Sequence, residues 1–394
     1  MGGRRQKTTE EPTGAARPLP AGPARAKKRI LSQPVRQVGV HPNMRVADLV
    51  EAMGDMSIQA RNLGSCARVL DRMYRDRARP TVMIGLAGPL IAAGLRKVIR
   101  DLVVGGYVDV VVSTGAILYQ DIYQARGFKH YRGTPAADDV ALRDLRIDRI
   151  YDTYVDEEKF WQTDTWCGRV ADEMEPGNYS SRAYLDVVGS RLADPDSVVR
   201  QCHLLGVPVF SPALNDSSIG IGLTHHRHRC REEGRKGVAI DSIQDNYELT
   251  QIVVHSRKTA AIYVAGGVPK NYINDSIVMA YIFNQERGHD YAIQVTTAVT
   301  QDGGLSGSTL GEAQSWGKIS RQARFAMAWV EPSVSLPLLA GYVFDRHPAP
   351  PRRRLRFRWQ GNGLAGMAVR RKSRSKQPTP APERRRRRDL VTPR

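Results

Sequence analysis

Thr81-Val82-Met83-Ile84-Gly85, then a turn at Gly88-Pro89, then Leu90, Ile91, Leu95, Val98, Ile99 and Leu102 at helical spacing, is the stretch that decides the fold. A short β-branched run closed by glycine reads as a buried strand, and apolar residues recurring every three or four positions read as an amphipathic helix. Val108 to Val112 gives a second buried strand, ending at Ser113-Thr114-Gly115. Strand, helix and strand in that order imply a parallel pair joined by a crossover. Working outward, short apolar runs separated by helical patterns continue from Val46. Further strands are expected at Val207 to Phe210, Val238 to Ile240, Ala261 to Val264, Tyr291 to Val295 and Phe325 to Val330. The pattern predicts an α/β, Rossmann-like fold: a doubly wound, mostly parallel sheet in a single large domain over residues 39–345.

The chain has 394 residues, 41% hydrophobic, enough to bury a core, and a net charge of +19. That charge is not spread evenly. Residues 1–38 hold nine Lys/Arg against two Glu, and residues 346–394 hold seventeen against one Glu and one Asp. This leaves 33 basic and 36 acidic side chains, a net charge of −3, in residues 39–345. The central region is therefore not a nucleic-acid-binding domain by charge, and only the Arg-rich ends, such as Arg384 to Arg388, offer a polyanion site. Both ends are Pro-, Ala- and Arg-rich with little apolar periodicity, so residues 1–38 and 346–394 are expected to be disordered basic segments. Cys66, Cys167, Cys202 and Cys230 stand far apart with no CxxC pair, which argues against a disulfide scaffold or zinc ribbon and suits a reducing cytoplasm. No apolar run is long enough to span a membrane.

In open α/β sheets ligands sit outside the carboxyl ends of the strands, where backbone amides and helix N-termini face them. Five expected strands end in small or polar residues: Gly85 to Gly88, Ser113-Thr114-Gly115, Ser211 to Asp216, Ala265-Gly266-Gly267 and Thr296-Thr297. Together they suggest a cofactor cleft, although none carries the GxGxxG fingerprint. Glu331, after an apolar strand, reads either as an acceptor for ribose hydroxyls or as a helix-initiating residue before Pro332.

The most informative chemistry lies in Asp302-Gly303-Gly304-Leu305-Ser306-Gly307-Ser308-Thr309-Leu310-Gly311-Glu312-Ala313-Gln314-Ser315-Trp316-Gly317-Lys318. A glycine-rich loop opens into a short helix bearing an acid, an indole and an amine. Trp316 shares the face of Glu312 if the helix lasts that long, and Lys318 falls at the helix end. A lysine packed against an indole loses hydration, which favours the neutral amine that attacks carbonyl or imine carbon. The indole can also stack on a substrate cation.

This segment, with Phe210-Ser211-Pro212-Ala213-Leu214-Asn215-Asp216, Gly266-Gly267-Val268-Pro269-Lys270 and Ser335-Leu336-Pro337-Leu338-Leu339, resembles the deoxyhypusine synthase family from about Val38 to Phe344. The resemblance implies an NAD-dependent transferase. In that family NAD takes a hydride from the carbon beside the central amine of spermidine. Diaminopropane leaves, and the aminobutyl group passes to an active-site lysine as an imine and then to an acceptor amine. The acceptor is a protein lysine in the type enzyme and putrescine in plant relatives that make homospermidine.

By motif match Lys318 is the catalytic lysine, and Glu312, Trp316, Gly303 and Gly304 are substrate-binding positions. Thr114, Asp216, Gly266, Thr297 and Glu331 are NAD-binding positions. Family members are homotetramers with active sites between paired subunits, and that assembly is expected here. The departures place the chain nearer the prokaryotic deoxyhypusine synthase-like branch. Ile221 and Leu305 replace substrate-side Asp residues, Asn271 a His and Gln120 a Glu, while Gly88-Pro89 replaces a Ser-Asn pair. The rival readings are a homospermidine-type synthase, a silent NAD- or polyamine-binding homologue and an RNA-associated protein acting through its tails. The retained Lys318 speaks against the silent version. His225, His226, His228 and Cys230 carry potential zinc ligands but lack a second ligand pair, so no metal is expected.

Overall fold

The computed structural model describes residues 19–348, 352–361 and 363–369, so the Arg384 to Arg388 run lies outside the described residues. Six parallel strands form the central sheet: β1 (Thr81–Leu86), β2 (Val110–Ser113), β3 (Val209–Phe210), β4 (Thr259–Val264), β5 (His289–Val295) and β6 (Ile319–Ala328). Their order across the sheet is β3-β2-β1-β4-β5-β6. This is the doubly wound order, and its switch point lies between β1 and β4.

Alternation along the strands explains the helices on both faces. Val82, Ile84 and Leu86 of β1 enter one core with Ala260, Ile262, Val264, Ile293 and Val295. Met83 enters a second core with Val110, Val112, Ala261, Tyr263 and Ala292. Both faces must be covered, so the strands read as unbroken apolar runs. The helices Val46–Met53, Ile58–Arg75 and Pro332–Arg346 cover the first face, and Ser242–His255 and Gly267–Val278 the second. No described helix is long and apolar enough to cross a membrane.

Local expectations needed correction in several places. The helix expected from Leu90 begins at Arg96, because Gly94 adopts φ 89° and Pro89 to Leu95 form turns, although Leu90, Ile91 and Leu95 are buried as the spacing implied. Val238–Ile240 is a strand, but it pairs with Gly177–Tyr179 outside the central sheet. A small antiparallel sheet of Tyr131–Arg132, Ile147–Ile150 and Thr153–Asp156 was not anticipated. Within the N-terminal segment expected to be disordered, Ala21–Ile30 forms a helix with no buried residue, its last turn carrying Lys27, Lys28 and Arg29 where they favour the helix dipole.

The larger correction concerns residues 346–394. Leu355–Gln360 (β7) and Gly363–Val369 (β8) form an antiparallel hairpin docked on the domain. Composition concealed a period of two: Leu355, Phe357 and Trp359 turn inward while Arg356 and Arg358 face outward. The Arg182 guanidinium stacks 3.8 Å from the Trp359 ring centre, and the Leu364 N–H donates to Gln251 Oε1 at 2.9 Å. Arg352, just upstream, is buried. It donates to Asp109 Oδ2 at 2.7 Å, to the Tyr107 carbonyl at 3.2 Å and to the Pro80 carbonyl. Asp109 also receives Arg79 at 2.7 Å and the Val82 N–H at 2.9 Å, so the hairpin is tied to the amino ends of β1 and β2.

Arg352→Ala removes one of the two guanidinium partners of Asp109 and is expected to destabilise the domain by roughly 1–3 kcal/mol, less than a full break of a buried pair because Arg79 remains. Urea unfolding measures it, and an unchanged midpoint would mean that the hairpin adds nothing to the fold.

Candidate functional site

The Gly267–Val278 helix springs directly from the carboxyl end of β4, at the switch point. Its start is bare backbone. Gly266 lies so close to the following loop that a Cβ there would come within 2.6 Å of Ser306 Cα, and Gly267 adopts φ 61°. Across the switch point Gly88 adopts φ 84° beside open space. An L side chain at either positive-φ position would be strained.

The remaining expected cofactor positions follow the same edge of the sheet. Thr114 is the N-cap after β2 but spends no side-chain bond on capping. Asp216 and Thr297 are exposed after β3 and β5. Glu331 follows β6, and its Oε2 accepts the Ser333 N–H at 2.7 Å, so the helix-initiating role is realised in this carboxylate.

The glycine-rich loop is pinned over the Gly267–Val278 helix by Lys270. The buried ammonium donates to the Leu305 carbonyl at 3.1 Å, the Ser308 carbonyl at 2.6 Å and Ser308 Oγ at 3.0 Å. Burial pushes this amine down to about 8; Glu312 acts in the opposite sense, and Lys318 adds to the fall. Gln294 reinforces the latch by donating to the Ser306 carbonyl at 2.7 Å and the Ala265 carbonyl at 2.8 Å, and the Gly267 N–H donates to Ser306 Oγ at 3.0 Å. At Gly307 a Cβ would stand 1.9 Å from the Val299 carbonyl oxygen, so the loop closes only with glycine there. Gly303 and Gly304 form its exposed tip, Gly303 at φ 67° and the Gly304 N–H bonded to Asp302.

Lys318 reaches the same helix from the other side of the loop. The short helix of the loop, Leu310–Ser315, has Trp316 as its C-cap, and Gly317 at φ 71° turns the chain into β6. The lysine side chain is 16% exposed. Its Nζ lies 5.6 Å from the Trp316 ring centre, donates to Asn271 Oδ1 at 3.3 Å and pairs with Asp275 Oδ1 at 3.1 Å. Asn271 Nδ2 in turn donates to Asp275 Oδ2 at 2.8 Å. Asn271 and Asp275 lie four and eight residues beyond Gly267, so the amine sits roughly 6–12 Å along the helix from the strand-end crevice.

Asp275 and Gln294 were not singled out from the sequence. The only sequence signal for Asp275 was its i,i+4 spacing from Asn271.

Not every expected residue converges within one chain. Ile221, 58% exposed, stands on the Ser218–Glu232 helix after β3, whereas Lys318 leads into β6 at the opposite edge, about 24 Å away across five strand spacings. Gln120 is buried and accepts the Ala92 N–H at 3.1 Å. The ligand atoms of Asp172, His226 and Cys230 lie within 4.8 Å of one another, yet both His226 nitrogens are engaged. Nδ1 bonds Asp172 at 2.7 Å and Nε2 accepts the Val238 N–H at 2.9 Å. Burial alone would raise the Asp172 carboxyl, but bonds from Arg235, His226 and Arg229 hold it at about 2. His225 and His228 point outward. This is a structural tie, with no nitrogen left for a metal.

Lys270→Met should unlatch the loop, raising amide exchange over residues 299–309 by an order of magnitude or more, since each bond from a charged donor is worth about 1.5–3 kcal/mol. Lys318→Met should leave that exchange near wild type. Equal effects from both substitutions would contradict the division of labour between the two lysines.

Comparison with known proteins adds an independent line. The deoxyhypusine synthase family profile matches residues 48–343, which excludes the hairpin. A "Deoxyhypusine synthase-like protein" of Chlorobaculum tepidum is 42% identical over 327 residues, spanning 81% of this chain and 92% of its own length. One of the same name from Coxiella burnetii is 38% identical over 335 residues, covering 82% of this chain and 94% of its own. A solved Entamoeba histolytica structure bearing the name "putative deoxyhypusine synthase" superposes with a TM-score of 0.56 over 79% of this chain and 97% of its own, at 19% identity, and so speaks for the fold alone.

Proposed function

The chain belongs to the deoxyhypusine synthase family, a family of aminobutyl transferases, and on that premise we propose that it transfers an aminoalkyl group from a polyamine to an acceptor amine in an NAD-dependent reaction, with Lys318 as the carrier. The observation that carries the reading is the placement of Lys318. It is a largely buried amine, held over an indole and beside a bare-backbone crevice at the switch point of a doubly wound sheet.

The crevice suits a dinucleotide. Gly88, with open space around it, and Gly267 would let a pyrophosphate approach the backbone, and the Gly267–Val278 helix directs its N-terminus there. Thr114, Asp216, Thr297 and Glu331 would hold the rest of the cofactor from the neighbouring strand ends. When bound, NAD supplies a reversible hydride acceptor. Trp316, 68% exposed, would stack on the cationic donor, and Glu312 would balance its charge. Lys318, once neutral, would take the aminoalkyl group as an imine and release it to the acceptor.

One chain leaves the site open. Trp316, Leu305, Ile221, Tyr281 and Ile282 are exposed apolar side chains, and Ile221 lies across the sheet from Lys318. A second copy that brings its own Ile221 against Lys318 would close the site, in keeping with a homotetramer built from paired subunits. Donor and acceptor then depend on what replaces the two missing carboxylates at Ile221 and Leu305. A homospermidine-type acceptor is the second reading, favoured by these aliphatic replacements.

Lys318→Arg keeps the charge but cannot present a neutral nucleophile. It should abolish product formation by at least a thousandfold while NAD affinity, measured by calorimetry, stays within about twofold. No NAD binding by the wild type at millimolar concentration would remove the proposal.

Spermidine should be a poor donor relative to shorter amines, and Ile221→Asp with Leu305→Asp should improve its use by a hundredfold or more, since each restored charge-assisted bond is worth about 1.5–3 kcal/mol. Initial rates with spermidine, homospermidine, putrescine and agmatine measure this. Wild-type turnover highest with spermidine, and lowered by the double substitution, would contradict it.

A further inference from the structure

We propose that Asp275 is the ammonium-binding carboxylate of the site, and that a substrate ammonium displaces Lys318 from it, releasing the lysine proton and so arming the nucleophile only when an amine is bound. The inference rests on the transferase reading for the chemical class of the ligand, but not for the ion pair on which it is built.

Lys318 faces two opposing requirements. As a nucleophile it must offer a free lone pair, yet its Nζ lies 3.1 Å from Asp275 Oδ1 as one half of an ion pair. A permanent partner of that kind would keep the amine inert. The geometry shows how the contact can be temporary. The Asp275 side chain is 39% exposed while that of Lys318 is 16% exposed, so the carboxylate meets solvent more openly than the lysine does. A competing ammonium can therefore reach the carboxylate from solvent without first moving the lysine. Asp275 is also held in place independently of Lys318, because Asn271 Nδ2 donates to its second oxygen at 2.8 Å. Losing the lysine therefore leaves the carboxylate oriented toward the same space.

Charge balance supplies the rest. The titratable groups around this space include Lys270, Tyr272 and Asp275 on the Gly267–Val278 helix, Tyr263 on β4, whose hydroxyl is held by Asn274, Glu312 on the short helix of the loop, and Lys318 itself. Lys270 is committed to the Leu305 and Ser308 oxygens. A substrate ammonium entering beside Trp316 therefore finds Asp275 as the nearer exposed carboxylate on the lysine. Once bound there, it deprives Lys318 of its counter-charge and places a like charge next to it. Both changes favour loss of the lysine proton, which passes to water. Trp316 and Asn271 then face a neutral amine whose lone pair is free. A second acid at Leu305 or Ile221 is not needed for this end of the donor, which fits their aliphatic character.

Calorimetry of putrescine binding to the NAD-saturated full-length protein, in buffers of different ionisation enthalpy, counts the protons released. In mildly alkaline buffer, between neutrality and the ordinary lysine value of about 10.4, the wild type should release a proton on binding. Lys318→Arg should bind the diamine and release none. Asp275→Asn should bind it roughly ten- to a hundredfold more weakly with the release abolished, and Asp275→Glu should restore part of both. Wild-type binding without proton release, release that persists in Lys318→Arg, or no binding of putrescine or spermidine at millimolar concentration would each overturn the proposal. Transfer activity is read separately: product formed without proton release would sink this inference and leave the transferase reading standing, whereas release without any product would do the reverse.

Discussion

A lysine ammonium withdrawn from water must find oxygen partners, and Lys270 finds all of its acceptors on one loop. The carbonyls of Leu305 and Ser308 and the Ser308 hydroxyl close around it, so the glycine-rich segment has a single resting place over the Gly267–Val278 helix. Everything chemically distinctive follows from that placement. The loop carries the short helix, the helix carries Trp316, and the turn at Gly317 brings Lys318 against Asn271 and Asp275. Without the latch Lys318 would belong to a free surface loop.

The two lysines illustrate how environment, not residue type, assigns a role. Lys270 has a depressed basicity, near 8, and on that ground alone would be a good nucleophile. Its three oxygen contacts and complete burial leave it no path to a substrate. Lys318 has an exposed indole on one side and a half-open carboxylate on the other, which leaves it accessible. Access and geometry decide between them, as they generally do for covalent catalysis.

The parts of this architecture legible in the sequence were those encoded by local pattern. The strands read at Thr81 to Gly85 and Ala261 to Val264 announced themselves as apolar runs because both faces of the sheet are covered, and the loop from Asp302 to Lys318 carried its own signature. The rest depended on tertiary contacts. Asp275 looked like any polar residue on a helix until the loop delivered Lys318 to it. The β7–β8 hairpin was obscured by its arginines, although Phe357 and Trp359 alternate with them, because Arg352 becomes a core residue only when Asp109 is there to receive it. Glu331 could be read two ways, and its helix-capping bond could be assigned only once Ser333 was in place. The separation of Ile221 from Lys318 across the sheet is likewise a property of strand order, which no local pattern reports.

The central claim is that the covalent chemistry runs through Lys318. The most direct test is to incubate the full-length protein with NAD and a labelled polyamine, reduce with borohydride, and map the label by peptide mass spectrometry. The account predicts an aminoalkyl adduct on the peptide containing Lys318, and none on the peptide containing Lys270. An adduct on Lys270, or turnover with no adduct on either lysine, would contradict it.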